Sequence, residues 1–270
     1  MLDNDHGEAA MRGNRAVVTG ASSGIGQAIA IEMARQGAQH VLIHYCSNLL
    51  GAEKTAEEVV RLGAKVTICQ ADLSDKQARS DLVDTAFAKL STVSTWVNNA
   101  GVDVLTGDIA NWEFEDKLAR LLSVDLMGTI SLSRLVVDRW LRGQEPPEPP
   151  SMIFMSWDQA CHGMEGDSGQ MFGPVKAAVM AYAKNLAQSV APRIRVNTLA
   201  PGWIKTAWGE ETSDYWADRA SGQSLMGRWG TPQDVARAAI FLSSPGNNFI
   251  TGQTIEVNGG WNRRFERTRQ

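Results

Sequence analysis

Residues 16–30 read AVVTGASSGIGQAIA: a run of β-branched residues stops at a glycine and gives way, after a small polar turn, to helical apolar spacing. Gly20, Gly24 and Gly26 mark a strand-to-helix junction. Glycine lets the chain turn tightly and brings its backbone close to a neighbour, while the free N–H groups and dipole of a helix N-terminus attract negative charge. Two readings follow. In one, the turn cradles a pyrophosphate, with Ser22, Ser23 and Ile25 completing the loop. In the other, the glycines only let the helix pack tightly on its strand.

The same alternation runs outward along the chain. Seven apolar runs, AVVTG, HVLIHY, KVTICQ, TWVNNAG, SMIFMSW, IRVNTLAPG and TIEVNGG, are separated by helical patterns such as GQAIAIEMARQG, AEKTAEEVVRLG and KAAVMAYAKNLAQSV. Alternating strands and helices predict βαβ units and a parallel sheet, and uniformly apolar strands predict helices on both faces. The expected fold is therefore α/β: one doubly wound domain with a parallel sheet of seven strands over residues 15–262. Gly37, Gly51 and Gly63 fall where helices stop or start; Asp75, Asp81 and Asp234 fall where first turns favour acids. A long helix is expected over residues 111–141 and another from Pro174. Between them, RGQEPPEPPS (residues 142–151) cannot continue a helix and reads as a solvated connection; it lacks the PxxP arrangement with a flanking basic residue. Residues 1–14 and 263–270 read as a fraying extension and a tail.

Composition narrows the function. A formal charge of −4, with acidic and basic residues interleaved, argues against a nucleic-acid partner held by general electrostatics. No run of about 18 apolar residues occurs, and the polar opening residues resemble neither a signal peptide nor an anchor, so no membrane partner is expected and a cytoplasmic location is the default. Cys46, Cys69 and Cys161 are odd in number and far apart, which suggests neither a disulfide framework nor a zinc site; Cys69 reads as a core residue.

Over residues 15–261 the chain resembles a short-chain dehydrogenase/reductase. TGASSGIG (residues 19–26) matches the family's cofactor loop, ADL (71–73) its adenine contact through Asp72 and Leu73, and NNAG (Asn98, Asn99, Ala100, Gly101) its fourth strand. PGWIKT (201–206) resembles the loop that holds the nicotinamide amide through Pro201, Gly202, Ile204 and Thr206, and RWGTPQDVARAAIFLSSPGNNFITGQTIEVNGGW matches the C-terminal block. The resemblance implies a nicotinamide dinucleotide, a small-molecule alcohol or carbonyl substrate that the sequence does not identify, and a homodimer or homotetramer. It favours NADP modestly over NAD. Tyr45 stands where an NAD site places an acid, and Ser47 and Asn48 can donate to a 2′-phosphate, but Cys46 replaces the arginine that would pair with it.

In that family a tyrosine exchanges a proton with the substrate oxygen, a lysine four residues on lowers its pKa and holds the ribose, a serine orients the substrate, and an asparagine anchors a relay water. Here Lys176 matches the lysine. Phe172 occupies the tyrosine position, Ser156 aligns with a first serine, Trp157 aligns with the second, usually catalytic, serine, and Asp125 takes the asparagine's place. Phenylalanine keeps the ring and loses the ionisable oxygen. The segment between contains Asp158, His162, Glu165, Asp167 and Ser168, of which His162 titrates closest to neutrality and is the candidate substitute proton carrier. Tyr182 projects from another face of Lys176's helix, and Trp203, Trp208 and Trp216 belong to a substrate lid over residues 203–228 that either lines an apolar pocket or packs onto the body. Three functions stay open: an oxidoreductase with an altered proton path, a non-catalytic dinucleotide-binding homologue, and a structural subunit.

Overall fold

The structure, a computed structural model, describes residues 10–143, 148–206, 209 and 212–262. Seven parallel strands form one sheet in the order β3-β2-β1-β4-β5-β6-β7. They are β1 (Arg15–Val18), β2 (His40–Tyr45), β3 (Lys65–Gln70), β4 (Thr95–Asn98), β5 (Ser151–Met155), β6 (Arg195–Pro201) and β7 (Thr254–Val257). Register pairs Val17 with both Leu42 and Trp96, so β1 is central and the winding direction reverses between β1 and β4. At such a switch point a crevice opens at the carboxyl ends of the strands.

Alternation along each strand explains why the runs read as continuously apolar. Val18, Ile43, Val97 and Ile153 enter one core with α1 (Gly24–Arg35), α2 (Leu49–Arg61) and α9 (Pro232–Ser243). Their neighbours Val17, Leu42, Trp96 and Phe154 enter another with α3 (Lys76–Leu90), α5 (Thr129–Arg142) and α7 (Gly166–Val190). Each such side chain contributes about 1.5–3 kcal/mol by leaving water. Capping follows the sequence at two helices: Asp75 caps α3 by accepting from Ala78 N at 2.6 Å, and Thr231 and Asp234 form a reciprocal box at α9 with Pro232 in its first turn.

Several expectations are corrected. The fold begins before residue 15: Met11 is fully buried and its N–H donates to Gln36, while Asn14 bonds Thr95. Residues 1–9 and 263–270 lie outside the described residues, as do Pro146 and Pro147 of the proline-rich connection. Edge strand β3 is half open, with Cys69 only partly buried, because among the described residues no strand pairs with its outer edge. The 111–141 helix is three pieces: α4 (Phe114–Leu121), a π turn (Leu122–Gly128) and α5. Helix α7 starts at Gly166 rather than Pro174, and Pro174 is carried inside it. Gly169 near its start permits close packing, since a Cβ there would lie 2.0 Å from the Met164 carbonyl oxygen. Gly51 likewise sits inside α2, and its missing Cβ leaves room for the Ser22 carbonyl. A short α6 (Gln159–His162) and the lid helix α8 (Asp214–Gln223) complete the elements used below.

Candidate functional site

Two adjoining cavities open at the switch point. The outer one, about 620 Å³, runs from the β1–α1 turn to the ends of β2 and β3; the inner one, about 450 Å³, lies over the ends of β5 and β6 under the lid. They share Ile25, Asn99, Gly101, Val102, Asp103 and Thr206.

The outer cavity is built by backbone. Gly20 and Gly24 hold φ of +63° and +55°, and a Cβ on Gly20 would lie 2.8 Å from Ala100 Cα. Thr19 Oγ accepts from the Asn99 and Ala100 amides, and Asn99 Nδ2 donates to the Thr19 and Gly20 carbonyls, locking the turn to β4. Ser23 makes no side-chain cap, so no side chain takes up the first amides of α1. Ser22, Ser23, Ser47, Asn48, Asp72 and Leu73 line the same cavity. Backbone amides at a helix N-terminus attract anionic groups, and Asp72 puts an acid at the far end of the same cavity.

Lys176, Pro201, Gly202 and Ile204 line the inner cavity instead, and two of the cofactor residues selected from sequence line neither. Gly26 sits behind the loop, where a Cβ would meet the Gly20 carbonyl oxygen at 2.2 Å, so it serves close packing. Asn98 is buried in β4 and accepts from Trp96 Nε1 at 3.2 Å. Sequence reading missed His44 and Arg120. His44 Nδ1 accepts from the Gly20 amide at 3.1 Å and its Nε2 faces the Ala71 carbonyl at 3.0 Å, tying the phosphate turn to the adenine loop. Burial holds its pKa down at about 4, so the ring stays neutral at physiological pH. Arg120, on α4, reaches Ser74 Oγ at 3.1 Å and Asp72 at 3.4 Å across the cavity mouth. Arg120 stands two residues before the π turn, and no local sequence pattern marks it.

The inner cavity joins α7 to the π turn. Lys176 and Phe172, four apart on α7, both line it. Lys176 Nζ is 2.9 Å from Asp125 Oδ2, and Asp125 Oδ1 accepts from the Val102 amide at 2.9 Å. Asp125 fits because Gly101 has no Cβ, which would otherwise lie 2.7 Å from Oδ2. A π turn at this point is the kind of local unwinding that helices concentrate at functional positions. Ser156 lines the cavity, but its hydroxyl donates to the Lys176 carbonyl at 2.8 Å and so braces α7. Trp157 and Phe172 meet edge to face at 6.3 Å, closing that wall with aromatic surface.

His162 is drawn away from the cavity. At the end of α6 it faces Glu256 at 3.1 Å and stacks on Trp261, which removes it as the substitute proton carrier. Tyr182 packs against Phe154 in the core and does not line the cavity. The lid tryptophans do both things allowed by the sequence: Trp203 and Trp216 line the cavity and pack on each other at 5.7 Å, joined by Trp229, whose role was not foreseen. Trp208 lies outside the described residues. Arg219 covers Trp203 and Trp216 and pairs with Glu165, fastening the lid helix to the start of α7.

The sheet order and the crevice at its switch point define an α/β protein of the doubly wound class. The family profile described as enoyl-(acyl carrier protein) reductase matches residues 20–262. The chain is 31% identical over 257 residues to 3β-hydroxysteroid dehydrogenase 1 of Eggerthella lenta, covering 93% of this chain and 94% of the relative. It is 30% identical over 249 residues to a 3-oxoacyl-(acyl-carrier-protein) reductase of Staphylococcus aureus, covering 91% and 96%. A Burkholderia cenocepacia short-chain dehydrogenase in complex with NADP superposes with a TM-score of 0.82 at 27% identity, covering 93% of this chain and 98% of that one. A 3-oxoacyl-(acyl-carrier protein) reductase of Brucella melitensis in complex with NAD gives 0.82 at 26%, covering 92% and 97%. The chain belongs to the short-chain dehydrogenase/reductase family.

Proposed function

We propose that this protein binds a nicotinamide dinucleotide, with a modest preference for NADP, and acts as an oxidoreductase on an alcohol or carbonyl compound with its proton path rebuilt around Lys176. Bound nicotinamide supplies the hydride chemistry. The observation that carries the proton path is the 2.9 Å pair between Lys176, which lines the inner cavity beside Phe172, and the buried Asp125. Asp125 fixes the ammonium. In the direction of reduction Lys176 gives a proton to the carbonyl oxygen and regains one from solvent. Solved relatives in complex with NADP and with NAD support the cofactor class. The NADP preference rests on Ser47 and Asn48 in the outer cavity, where Asp72 is already engaged by Ser74 and Arg120.

One observation favours a second reading, a dinucleotide-binding homologue that does not turn over. Three of the four positions the resemblance marks as catalytic hold Phe172, Trp157 and Asp125, and the Ser156 hydroxyl is committed to the Lys176 carbonyl. Thermal denaturation with each dinucleotide, followed by assay of reduced-nicotinamide consumption, separates the readings. At a hundredfold excess over Kd, binding stabilises by about 2.7 kcal/mol. That corresponds to roughly 5–10 °C in a domain of this size. NADPH is expected to shift the midpoint more than NADH, and Cys46→Arg to widen the gap; no shift with any dinucleotide refutes both readings. Lys176→Ala is expected to weaken binding.

A further inference from the structure

We infer that the inner cavity is a binding site for an uncharged, ring-bearing apolar ketone or alcohol, and that it rejects carboxylates and phosphates. The inference deepens the proposed function and rests on it for the position of the reacting oxygen. Five of the lining side chains are aromatic: Trp157, Phe172, Trp203, Trp216 and Trp229. Trp203 sits at their centre, 5.7 Å from Trp216 and 6.1 Å from Trp229. Rings pack on such walls through offset and edge-to-face contacts that flexible polar chains do not make.

Charge makes the selection sharper. Among the lining residues, Lys176 and Asp103 carry charged groups. The Lys176 ammonium is neutralised at 2.9 Å by Asp125, and the nearby Arg219 guanidinium, over Trp203 and Trp216, is taken by both oxygens of Glu165. Asp103 accepts from the Leu105 amide and the Thr106 hydroxyl, both neutral, and no ion pair to it is present among the described residues. Among the described residues an entering anion therefore meets one carboxylate and no spare cation, and it loses its hydration among aromatic walls. A neutral ketone loses little, and its oxygen can accept from one of the ammonium N–H groups that Asp125 does not take.

Equilibrium dialysis decides the matter with two matched probes, 9-fluorenone and 9-fluorenone-2-carboxylate, against the full chain with saturating oxidised dinucleotide. Dinucleotide binding is read on the same samples by thermal shift. Fluorenone is expected to bind saturably at one per chain and the carboxylate at least tenfold more weakly. Asp103→Asn narrows that gap, and Trp203→Ala weakens fluorenone. Equal or tighter binding of the carboxylate overturns the inference, as does absence of saturable fluorenone binding to dinucleotide-loaded protein. If the dinucleotide produces no shift, the proposed function fails on its own, and fluorenone against its carboxylate on the free chain still decides the cavity's preference.

Discussion

Phe172 and Asp125 change the site in opposite ways. On the proposed reading, Phe172 brings no ionisable oxygen beside Lys176, while Asp125 places a buried carboxylate within 2.9 Å of the same ammonium. A positioned acid contributes about 10²–10⁴-fold to proton transfer. Phe172→Tyr restores the atom but not its partners: Ser156 still bonds the Lys176 carbonyl, and Trp157 still fills the wall at 6.3 Å. The expected gain in kcat for ketone reduction is therefore the lower part of that range, about tenfold to a hundredfold, and adding Trp157→Ser raises it further. Steady-state kinetics on the two variants check this; unchanged kcat in Phe172→Tyr shows that Lys176 alone carries the proton. These residues were legible because they sit in motifs with fixed spacing. His162 was misread because its partners, Glu256 and Trp261, are about a hundred residues away, and no local pattern encodes them.

Elements set the pH response through two groups at strand ends. His44, ending β2 under the phosphate turn, has its pKa lowered to about 4 mainly by burial. The unfolded chain therefore binds more protons between pH 4 and 6.5, and the stability His44 lends is lost as pH falls through that window. Asp158, just past β5, is raised to about 6, again chiefly by burial, against a hydrogen bond from Asn258. Here the folded chain binds more protons between pH 3.8 and 6, so its contribution is present at low pH and lost as pH rises. The two slopes oppose, each at most about 1.4 kcal/mol per pH unit. Wild type is expected to change little between pH 4 and 6, whereas Asp158→Asn exposes the His44 slope and loses denaturant resistance steadily on acidification. Urea midpoints across that range test the sign; a flat Asp158→Asn profile counts against it. Helix and strand order was legible because apolar periods report it directly. The π turn and the early start of α7 were not, since both depend on what packs against them: Gly101 and Val102 against Asp125, and Met164 against Gly169.

At the scale of the whole molecule, two of the groups of exposed apolar side chains bear on assembly. One lies on the long broken helix, where Leu122 and Met127 of the π turn face solvent. The other joins Phe241 of α9, Phe249, which is 100% exposed, and the open edge of β7, a strand paired only with β6 among the described residues. Leaving one such side chain in water forgoes about 1.5–3 kcal/mol of burial, and an open edge strand is a ready template for pairing. Each surface can meet its own copy about a two-fold axis, and two independent isologous contacts close into a tetramer of D2 symmetry, whereas one stops at a dimer. We therefore expect a homotetramer. Light scattering should give a fourfold mass at micromolar concentration, and Phe241→Glu with Phe249→Glu should halve it while leaving the dinucleotide-induced thermal shift in place, because neither residue lines the cavities. A dimer in wild type that the double substitution leaves intact assigns the contact to the broken helix alone, and a monomer refutes both surfaces.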